Sequence, residues 1–230
     1  DIPGILFLDT PGHAAFNNLR KRGGNLADTS ILVIDINEGI KEQTIESINI
    51  LKQYKTPFII AANKIDILQG WQKKDPLLLK NINLQNERTK QLLDKKIYEV
   101  VGKLSELGFN SERFDRVDDY TKTVSIVPLS AKTGEGIPEL LMVLSGLAQK
   151  YLEKTLTLNK DTEGKATILE VKEEKAGTII YTILYDGTLK KNDQIVIGGI
   201  ETPIVTKIRA IYTADEKFRF KEVKEIAAGL

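Results

Sequence analysis

The sequence predicts an α/β domain with a mainly parallel sheet and helices on both of its faces, followed by a small antiparallel β-barrel. Short apolar runs alternate with amphipathic helical stretches over residues 1–151 of the 230, the pattern of a parallel sheet. After residue 151, β-branched runs separated by turn residues replace that alternation. The first domain is therefore placed at 1–153 and the second at 154–230.

Four apolar runs predict the strands of the first domain. Each run is short and continuous, which is typical of strands buried on both faces. The runs are residues 5–8, 31–35, 57–62 and 124–129. Ligands of parallel sheets bind at the carboxyl ends of the strands. The loops after these strands are therefore the places where function is expected.

Three segments between or after these strands have apolar residues at helical spacing, namely 41–54, 91–107 and 137–151. Pro138 falls in the first turn of the last segment, where its missing N–H costs little. Residues 67–123 form an unusually long connection that contains the only tryptophan, Trp71. We interpret this connection as an insertion at the domain's edge, with no chemistry of its own.

Four further runs predict the antiparallel strands of the second domain: 166–171, 178–185, 194–197 and 204–212. Turn residues such as Asp186-Gly187 and Gly198-Gly199 separate them, as in small barrels. No closing pattern marks the end of the sequence. We therefore expect a truncated barrel and a chain that continues in a longer protein.

The composition excludes several classes of function. The net charge is +1, from 33 basic and 32 acidic residues, so bulk charge gives no support to polyanion binding. The absence of cysteine excludes disulfides, thiolate catalysis and cysteine-ligated metals. No apolar run approaches the roughly 20 residues that span a bilayer, and no charged leader precedes an apolar stretch. A cytoplasmic protein is the expectation.

The loop after the first run reads Asp-Thr-Pro-Gly-His at positions 9–13. Asp9, at a strand end, suits Mg²⁺, directly or through water, because this ion keeps most of its waters. Gly12 allows a backbone N–H to approach a terminal phosphate. His13, the only histidine, is the catalytic candidate, since it can orient an attacking water. The alternative is a histidine near a helix start with no special role.

The loop after the third run reads Asn-Lys-Ile-Asp at positions 63–66. The Asp66 carboxylate can accept the two N–H groups that guanine presents at N1 and N2, a pair that adenine lacks. Adenine would leave Asp66 desolvated and unpaired, a discrimination of about 2–5 kcal/mol. The stem of Lys64 can cover one face of the base. The alternative is an ordinary turn, since turns favour Asn and Asp.

The loop after the fourth run begins with Ser130, Ala131 and Lys132. The small residues of this loop allow backbone N–H groups to approach the guanine O6, although the pattern also fits an ordinary loop before a helix. All three loops follow strands directly, and this shared placement predicts one guanine-nucleotide site. No segment fits Gly-x-x-x-x-Gly-Lys-Ser/Thr, so the expected switch has no phosphate-binding loop within this chain.

Longer segments resemble the translational GTPases, and among them the archaeal and eukaryotic initiation factor that joins ribosomal subunits, the factor two or factor five-B family. They include Phe-Leu-Asp-Thr-Pro-Gly-His-Ala-Ala-Phe at 7–16, Gly-Phe-x-Ser-Glu-Arg-Phe-Asp-Arg-Val at 108–117 and Tyr-Asp-Gly-x-Leu-Lys-Lys-x-Asp at 185–193. Residues 19–23, 63–71 and 134–140 are similar to the same branch. The resemblance covers essentially the whole chain.

The resemblance implies a P-loop-type GTPase domain, incomplete at its amino end, followed by a translation-factor β-barrel domain. GTP or GDP and Mg²⁺ are the implied cofactors, with Asp9 serving the metal through water and His13 positioning water. The implied nucleotide-binding residues are Asp9, Thr10, Pro11, Gly12, His13, Asn63, Lys64, Ile65, Asp66, Ser130, Ala131 and Lys132.

The implied function is that of an initiation-factor GTPase. It promotes subunit joining and initiator tRNA placement, and GTP hydrolysis on the ribosome releases it. The implied partners are both ribosomal subunits, initiator tRNA through parts outside this chain and another initiation factor, with no membrane. By itself the chain is expected to lack turnover. The alternatives are a non-catalytic ribosome- or RNA-binding module with a degenerate GTPase fold, and an elongation- or selenocysteine-type translational GTPase.

Overall fold

The chain forms two compact units, Asp1–Thr155 and Leu156–Leu230. The computed structural model describes residues 5, 7–9, 27–152, 160–174, 177–199, 201–214 and 219–228, except for the side chains of residues 151, 152 and 214. Each unit is considered by itself below.

A four-stranded parallel sheet organises the first unit. Its strands are β1 (Ser30–Asp35), β2 (Phe58–Asn63), β3 (Ser111–Arg113) and β4 (Val124–Pro128), in the order β1-β2-β4-β3. The pairs β1–β2, β2–β4 and β3–β4 are all parallel. The predicted α/β domain with a parallel sheet is confirmed.

Helices accompany the strands along the chain. They are α1 (Glu42–Tyr54), α2 (Leu78–Leu84), α3 (Glu87–Glu106) and α4 (Ile137–Leu152), with short 3-10 turns at Ile65–Ile67 and Phe114–Arg116. The apolar spacing predicts three of these helices, α1, α3 and α4. Within the part of the chain that the structure describes, no helix is long and apolar enough to cross a membrane.

The longest helix, α3, shows why these segments are helical. At its start the Asn86 side chain accepts a hydrogen bond of 2.8 Å from the backbone N–H of Thr89, which satisfies one of the free donors of the first turn. Apolar residues at steps of three and four form one buried stripe that packs into the core, and each contributes roughly 1.5–3 kcal/mol by burial. These residues are Leu93, Ile97, Val100 and Leu104.

The long connection 67–123 is part of the domain core. It supplies β3, the strand at one edge of the sheet. It also supplies α3, whose buried stripe belongs to the same cluster as the strands β2 and β4. Helix α2 has seven residues and strand β3 has three. Both are too short to show a period in the sequence, so the sequence predicts neither of them.

The second unit consists of antiparallel strand pairs, as predicted. Its strands are β5 (Lys165–Glu174), β6 (Gly177–Asp186), β7 (Thr188–Lys190), β8 (Gln194–Ile197), β9 (Ile204–Lys207), β10 (Ile211–Ala214), β11 (Phe220–Val223) and β12 (Glu225–Ala227). The pairs are β5–β6, β7–β12, β8–β9 and β10–β11. The pairing of β7 with β12 places Glu225–Ala227 beside Thr188–Lys190.

The prediction of one strand over 204–212 is wrong. The run divides into β9 and β10 because its two parts pair with different strands, β9 with β8 and β10 with β11. The N–H of Ile208 donates to the carbonyl of Asp193 at 3.0 Å, and the N–H of Asn192 donates to the carbonyl of Ile208 at 2.9 Å. These bonds continue the register of β8 and β9 by one residue, and residues 208–210 then have no regular secondary structure before β10 begins.

The strand predicted at 5–8 is also wrong for the residues described there. Residues 5 and 7–9 have no regular secondary structure, and the side chains of Ile5 and Phe7 are 43% and 60% exposed. An apolar run becomes a strand only where a neighbouring strand takes up its backbone hydrogen bonds. The described sheet ends at β1 on one side.

Candidate functional site

Three strands end side by side at the carboxyl edge of the parallel sheet. Asp35 at the end of β1 is in register with Asn63 at the end of β2, and Ala62 is in register with Pro128 at the end of β4. The backbone continues this alignment one step further, since the N–H of Leu129 donates to the carbonyl of Ala62 at 2.9 Å. The two polar loops that follow β2 and β4 are therefore neighbours.

Asn63 joins these two loops through one oxygen. Its Oδ1 accepts a hydrogen bond of 2.8 Å from the backbone N–H of Lys64 and one of 2.9 Å from the backbone N–H of Ala131. One amide side chain thus fixes the start of its own loop and the start of the loop after β4. The N–H of Ile65 adds a second link by donating to the carbonyl of Leu129 at 3.2 Å.

Lys64 lies in the left-handed region, with φ of 71°, which turns the chain sharply out of β2. Its Nζ is 2.9 Å from Oδ2 of Asp35, and its side chain remains 55% exposed. The backbone N–H of Asn37 donates to the other Asp35 oxygen, Oδ1, at 2.9 Å. The ammonium is therefore held at the edge of the sheet, while its stem lies along the surface.

This pair changes the pKa of both partners. Burial raises the pKa of the Asp35 carboxyl, but the hydrogen bonds from Lys64 and Asn37 outweigh it, so the pKa lies below the ordinary 3.8. The hydrogen bond to Asp35 and its negative charge raise the pKa of the Lys64 ammonium. Both groups stay charged through the neutral range.

Asp66 lies in the 3-10 turn Ile65–Ile67, directly after the turn at Lys64. Its Oδ1 accepts a hydrogen bond of 2.6 Å from the hydroxyl of Ser130. The neighbouring Ile65 is fully buried and belongs to the hydrophobic core. The apolar side chain anchors the turn from below, and the serine hydroxyl orients the carboxylate from the side.

The loop after β4 is a compact turn closed by its own hydrogen bonds. The backbone N–H of Ser130 donates to the carbonyl of Glu135 at 2.9 Å, and that of Gly134 donates to the carbonyl of Ser130 at 2.8 Å. Gly136 has φ of 78°, and a Cβ on it would lie 2.4 Å from the carbonyl oxygen of Pro128, so only glycine fits there. Ala131 and Lys132 are exposed at the tip.

The structure thus brings together most of the residues predicted from the second and third loops. Direct hydrogen bonds join Ser130 to Asp66 and Ala131 to Asn63. Of the residues predicted in the first loop, the structure describes Asp9, which is exposed. Thr10, Pro11, Gly12 and His13 lie outside the described residues.

Two residues of the site had no assigned role in the sequence prediction. Asp35 holds Lys64, and its position at the end of a strand next to the Asn-Lys-Ile-Asp loop was the available signal. Glu135 lies beneath the loop after β4 with 2% exposure. Its burial could not be inferred from the sequence, because the donors that satisfy it are distant in the chain.

The free acceptor positions of Asp66 suit a guanine base. A carboxylate has about four lone-pair positions in all, and Ser130 uses one of those on Asp66, so the carboxylate can still accept the N1 and N2 hydrogens of guanine. For Mg²⁺ the available oxygen is the exposed Asp9 carboxylate, a hard ligand of the type that this ion prefers. Among the described residues, no cluster of three or more histidine and acidic side chains could hold a metal by itself.

Comparison with known proteins identifies the family. Residues 2–150 match the elongation factor Tu GTP-binding domain, and residues 177–230 match elongation factor Tu domain 2. The chain belongs to the translational GTPases. Its type within the family is that of the initiation factors IF-2 and aIF5B.

Three relatives define this type. The chain is 54% identical to the probable translation initiation factor IF-2 of Thermococcus kodakarensis, over 99% of the chain and 21% of that protein. It is 55% identical to the protein of the same name from Methanocella arvoryzae, over 91% and 36%. The crystal structure of GDP-bound aIF5B from Aeropyrum pernix superposes with a TM-score of 0.87 at 46% identity, over 98% of the chain and 39% of that one. The chain therefore spans well under half the length of these relatives.

Proposed function

We propose that this chain carries the guanine-reading loops of a translation initiation factor GTPase. The observation that supports this proposal most is the Asp66 carboxylate, held by Ser130 at the carboxyl edge of the sheet. The relatives at 54% and 55% identity are named as probable translation initiation factors, and the Aeropyrum pernix relative is GDP-bound. These names favour initiation over the elongation-type alternative.

Guanine recognition would follow from the geometry of the two loops. Asp66 would accept the N1 and N2 hydrogens of guanine, a charged and bidentate contact. Lys132, at the exposed tip of the neighbouring loop, would present its backbone N–H to O6, and the small side chain of Ala131, whose own N–H is donated to Oδ1 of Asn63, would leave room for the base. Adenine presents an acceptor at N1 and would leave Asp66 unpaired, a loss of about 2–5 kcal/mol.

Lys64 would supply one face of the base pocket. Its ammonium is already held by Asp35 at 2.9 Å, so its aliphatic stem is fixed before a nucleotide arrives. A fixed stem loses less conformational entropy when the base packs on it than a free lysine would. The Asp35–Lys64 pair is therefore proposed to prepare the pocket.

The phosphate end would be served by the first loop. The Asp9 carboxylate would hold Mg²⁺ through water, and the ion, when bound, neutralises charge on the phosphates. Thr10, Pro11 and Gly12 would lie against the terminal phosphate, and His13 would orient the water that attacks it. The assignment of this loop rests on its motif, Asp-Thr-Pro-Gly-His.

In the whole protein, GTP hydrolysis on the ribosome would release the factor after subunit joining. The proposed partners are both ribosomal subunits and another initiation factor, with initiator tRNA bound by parts outside these 230 residues. The non-catalytic module is the competing hypothesis. It keeps the same fold and predicts binding without stimulated hydrolysis.

The test uses the full-length protein and its His13→Ala variant. The wild type is expected to prefer GDP to ADP and to hydrolyse GTP when ribosomes are added. The variant should keep the GTP Kd of the wild type and lose stimulated hydrolysis by about 10²–10⁴-fold, the usual contribution of a positioned imidazole. Binding is followed by calorimetry and hydrolysis by phosphate release. Unchanged stimulated hydrolysis would remove His13 from the mechanism, and a wild type without stimulated hydrolysis would favour the module.

A further inference from the structure

A buried carboxylate lies beneath the loop that is proposed to read guanine. Glu135 is 2% exposed, and a buried charge must be fully hydrogen-bonded to be tolerated. Its Oε1 accepts from Nε1 of Trp71 at 3.2 Å and from Nδ2 of Asn81 at 2.7 Å. Its Oε2 accepts from the hydroxyl of Thr133 at 2.6 Å. Both oxygens are thus occupied by directional donors.

Glu135 also determines the position of Ser130. Its backbone carbonyl accepts the N–H of Ser130 at 2.9 Å, and its side chain holds Thr133, whose N–H in turn donates to Oγ of Ser130 at 3.2 Å. Ser130 is the residue that orients Asp66. A chain of hydrogen bonds therefore runs from the buried carboxylate to the carboxylate that is proposed to contact the base.

Two of the three donors to the Glu135 side chain, Asn81 and Trp71, come from the long connection 67–123, 54 and 64 residues away in sequence. A third contact reaches the same loop, since Nζ of Lys73 donates to the carbonyl of Thr133 at 2.8 Å. The Asn81 side chain is itself held, because Nε2 of Gln85 donates to its Oδ1 at 3.1 Å. The segment 71–85 therefore forms a rigid support on one side of the loop.

We propose that Glu135 is a positioning residue for guanine recognition and that the segment 71–85 holds the base-reading loop through it. This inference rests on the proposed function, because it assigns the connection a role in the same nucleotide site. None of its members needs to touch the nucleotide. They set the loop so that Ser130 and Asp66 meet the base without rearrangement, and such preorganisation increases affinity by reducing the cost of ordering.

The consequence is specific to the base. If the support is weakened, Asp66 is less well oriented toward the N2 amino group of guanine. Inosine diphosphate lacks this amino group, so its affinity should fall less than that of GDP. A variant that merely destabilises the domain lowers the amount of binding-competent protein for both nucleotides equally. The ratio of the two affinities therefore separates positioning from stability.

The experiment compares variants of the full-length protein by calorimetry with GDP and with inosine diphosphate. Trp71→Phe keeps an aromatic ring and removes the donor to Glu135. Tyr120→Phe is the matched control, since it also removes one hydrogen-bond donor from an aromatic ring. The Tyr120 hydroxyl donates to the carbonyl of Phe114 at 2.8 Å, and Tyr120 precedes the amino end of β4, whereas the candidate site follows its carboxyl end. Glu135→Ala removes the acceptor, and Glu135→Gln keeps Oε1 as an acceptor while Thr133 can reverse its hydroxyl to accept.

We expect Trp71→Phe to raise the Kd for GDP about three- to tenfold, the effect of one hydrogen bond, and to lower the preference for GDP over inosine diphosphate. Glu135→Ala should do the same or more, Glu135→Gln should restore most of the preference, and Tyr120→Phe should leave it unchanged. If Trp71→Phe and Glu135→Ala both keep the wild-type preference for GDP over inosine diphosphate, the inference is overturned while the proposed function stands. A wild type that does not prefer GDP would overturn the proposed function and the inference with it.

Discussion

The hydroxyl of Ser130 donates a hydrogen bond of 2.6 Å to Oδ1 of Asp66, across 64 residues of sequence. This contact makes the loops after β2 and β4 one structural unit. A second contact, from the N–H of Ala131 to Oδ1 of Asn63 at 2.9 Å, fixes the same two loops at another point. With two points fixed, the position of one loop determines that of the other, and a base can be read by both together.

Removing the Ser130 hydroxyl should weaken nucleotide binding. In Ser130→Ala, Asp66 loses a donor and Thr133 loses the acceptor of its N–H. We expect a cost of about 1–2 kcal/mol in GDP binding, or roughly a five- to thirtyfold higher Kd. Ser47→Ala is the control, since its hydroxyl donates to the carbonyl of Gln43 within α1 at 3.0 Å. Equal GDP affinities for the two variants in calorimetry would show that Ser130 does not prepare Asp66.

The ion pair of Asp35 and Lys64 should stabilise the GTPase domain at neutral pH and lose this effect in acid. The pKa of Asp35 lies below 3.8 in the folded state. Its contribution to the free energy of unfolding is therefore fully present above its pKa in the unfolded chain, and it disappears as the pH falls through its pKa in the folded state. Asp35→Asn should therefore be less stable than the wild type at pH 7, and the difference should shrink below about pH 4. The pKa of Lys64 is raised above 10.5, so the alkaline loss begins only above that value.

Scanning calorimetry of the full-length protein measures this effect, in the unfolding transition that GDP shifts to higher temperature. The exposed Asp118, changed to Asn, controls for the loss of a carboxylate in the same domain. If the difference between Asp35→Asn and the wild type stays constant from pH 7 down to about pH 3, the ion pair does not contribute in the stated way.

Asn192 should be replaceable by glycine but not by alanine. Its φ is 76°, a region that asparagine tolerates and that alanine occupies at a cost of roughly 1–2 kcal/mol. Asn192→Ala should speed the hydrogen exchange of peptides that cover residues 188–199, and Asn192→Gly should leave it near the wild-type rate. Exchange in Asn192→Ala as slow as in the wild type would mean that the turn before β8 carries no such strain.

The fold could be predicted where the apolar pattern is long. The runs that became β1, β2 and β4 and the periodic segments that became α1, α3 and α4 lie within a few residues of their predicted bounds. The seven-residue helix α2 gives too few turns to reveal a period. The strand at 204–212 divides because its first part pairs with β8 and its last part with β11, a choice of partners that composition does not contain.

The site could be predicted where its residues are adjacent in sequence. The motif at 63–66 and the residues at 130–132 carry their own chemistry, and both follow strands that end at the same edge. Glu135 has no such signal. Its role depends on Trp71 and Asn81, which reach it only after the connection has folded. Support residues of this kind are identified by their contacts and not by their spacing.

The central claim is that Asp66 reads guanine, and exchanging its chemistry tests this most directly. In Asp66→Asn, the amide nitrogen would face the N–H groups of guanine, donor against donor. Xanthine has a carbonyl at C2 where guanine has an amino group, so the amide can donate to it. We expect Asp66→Asn in the full-length protein to lose about 30-fold or more in GDP affinity and to bind xanthosine diphosphate more tightly than GDP, while Asp118→Asn keeps the wild-type order. If Asp66→Asn still binds GDP more tightly than xanthosine diphosphate, Asp66 does not read the base.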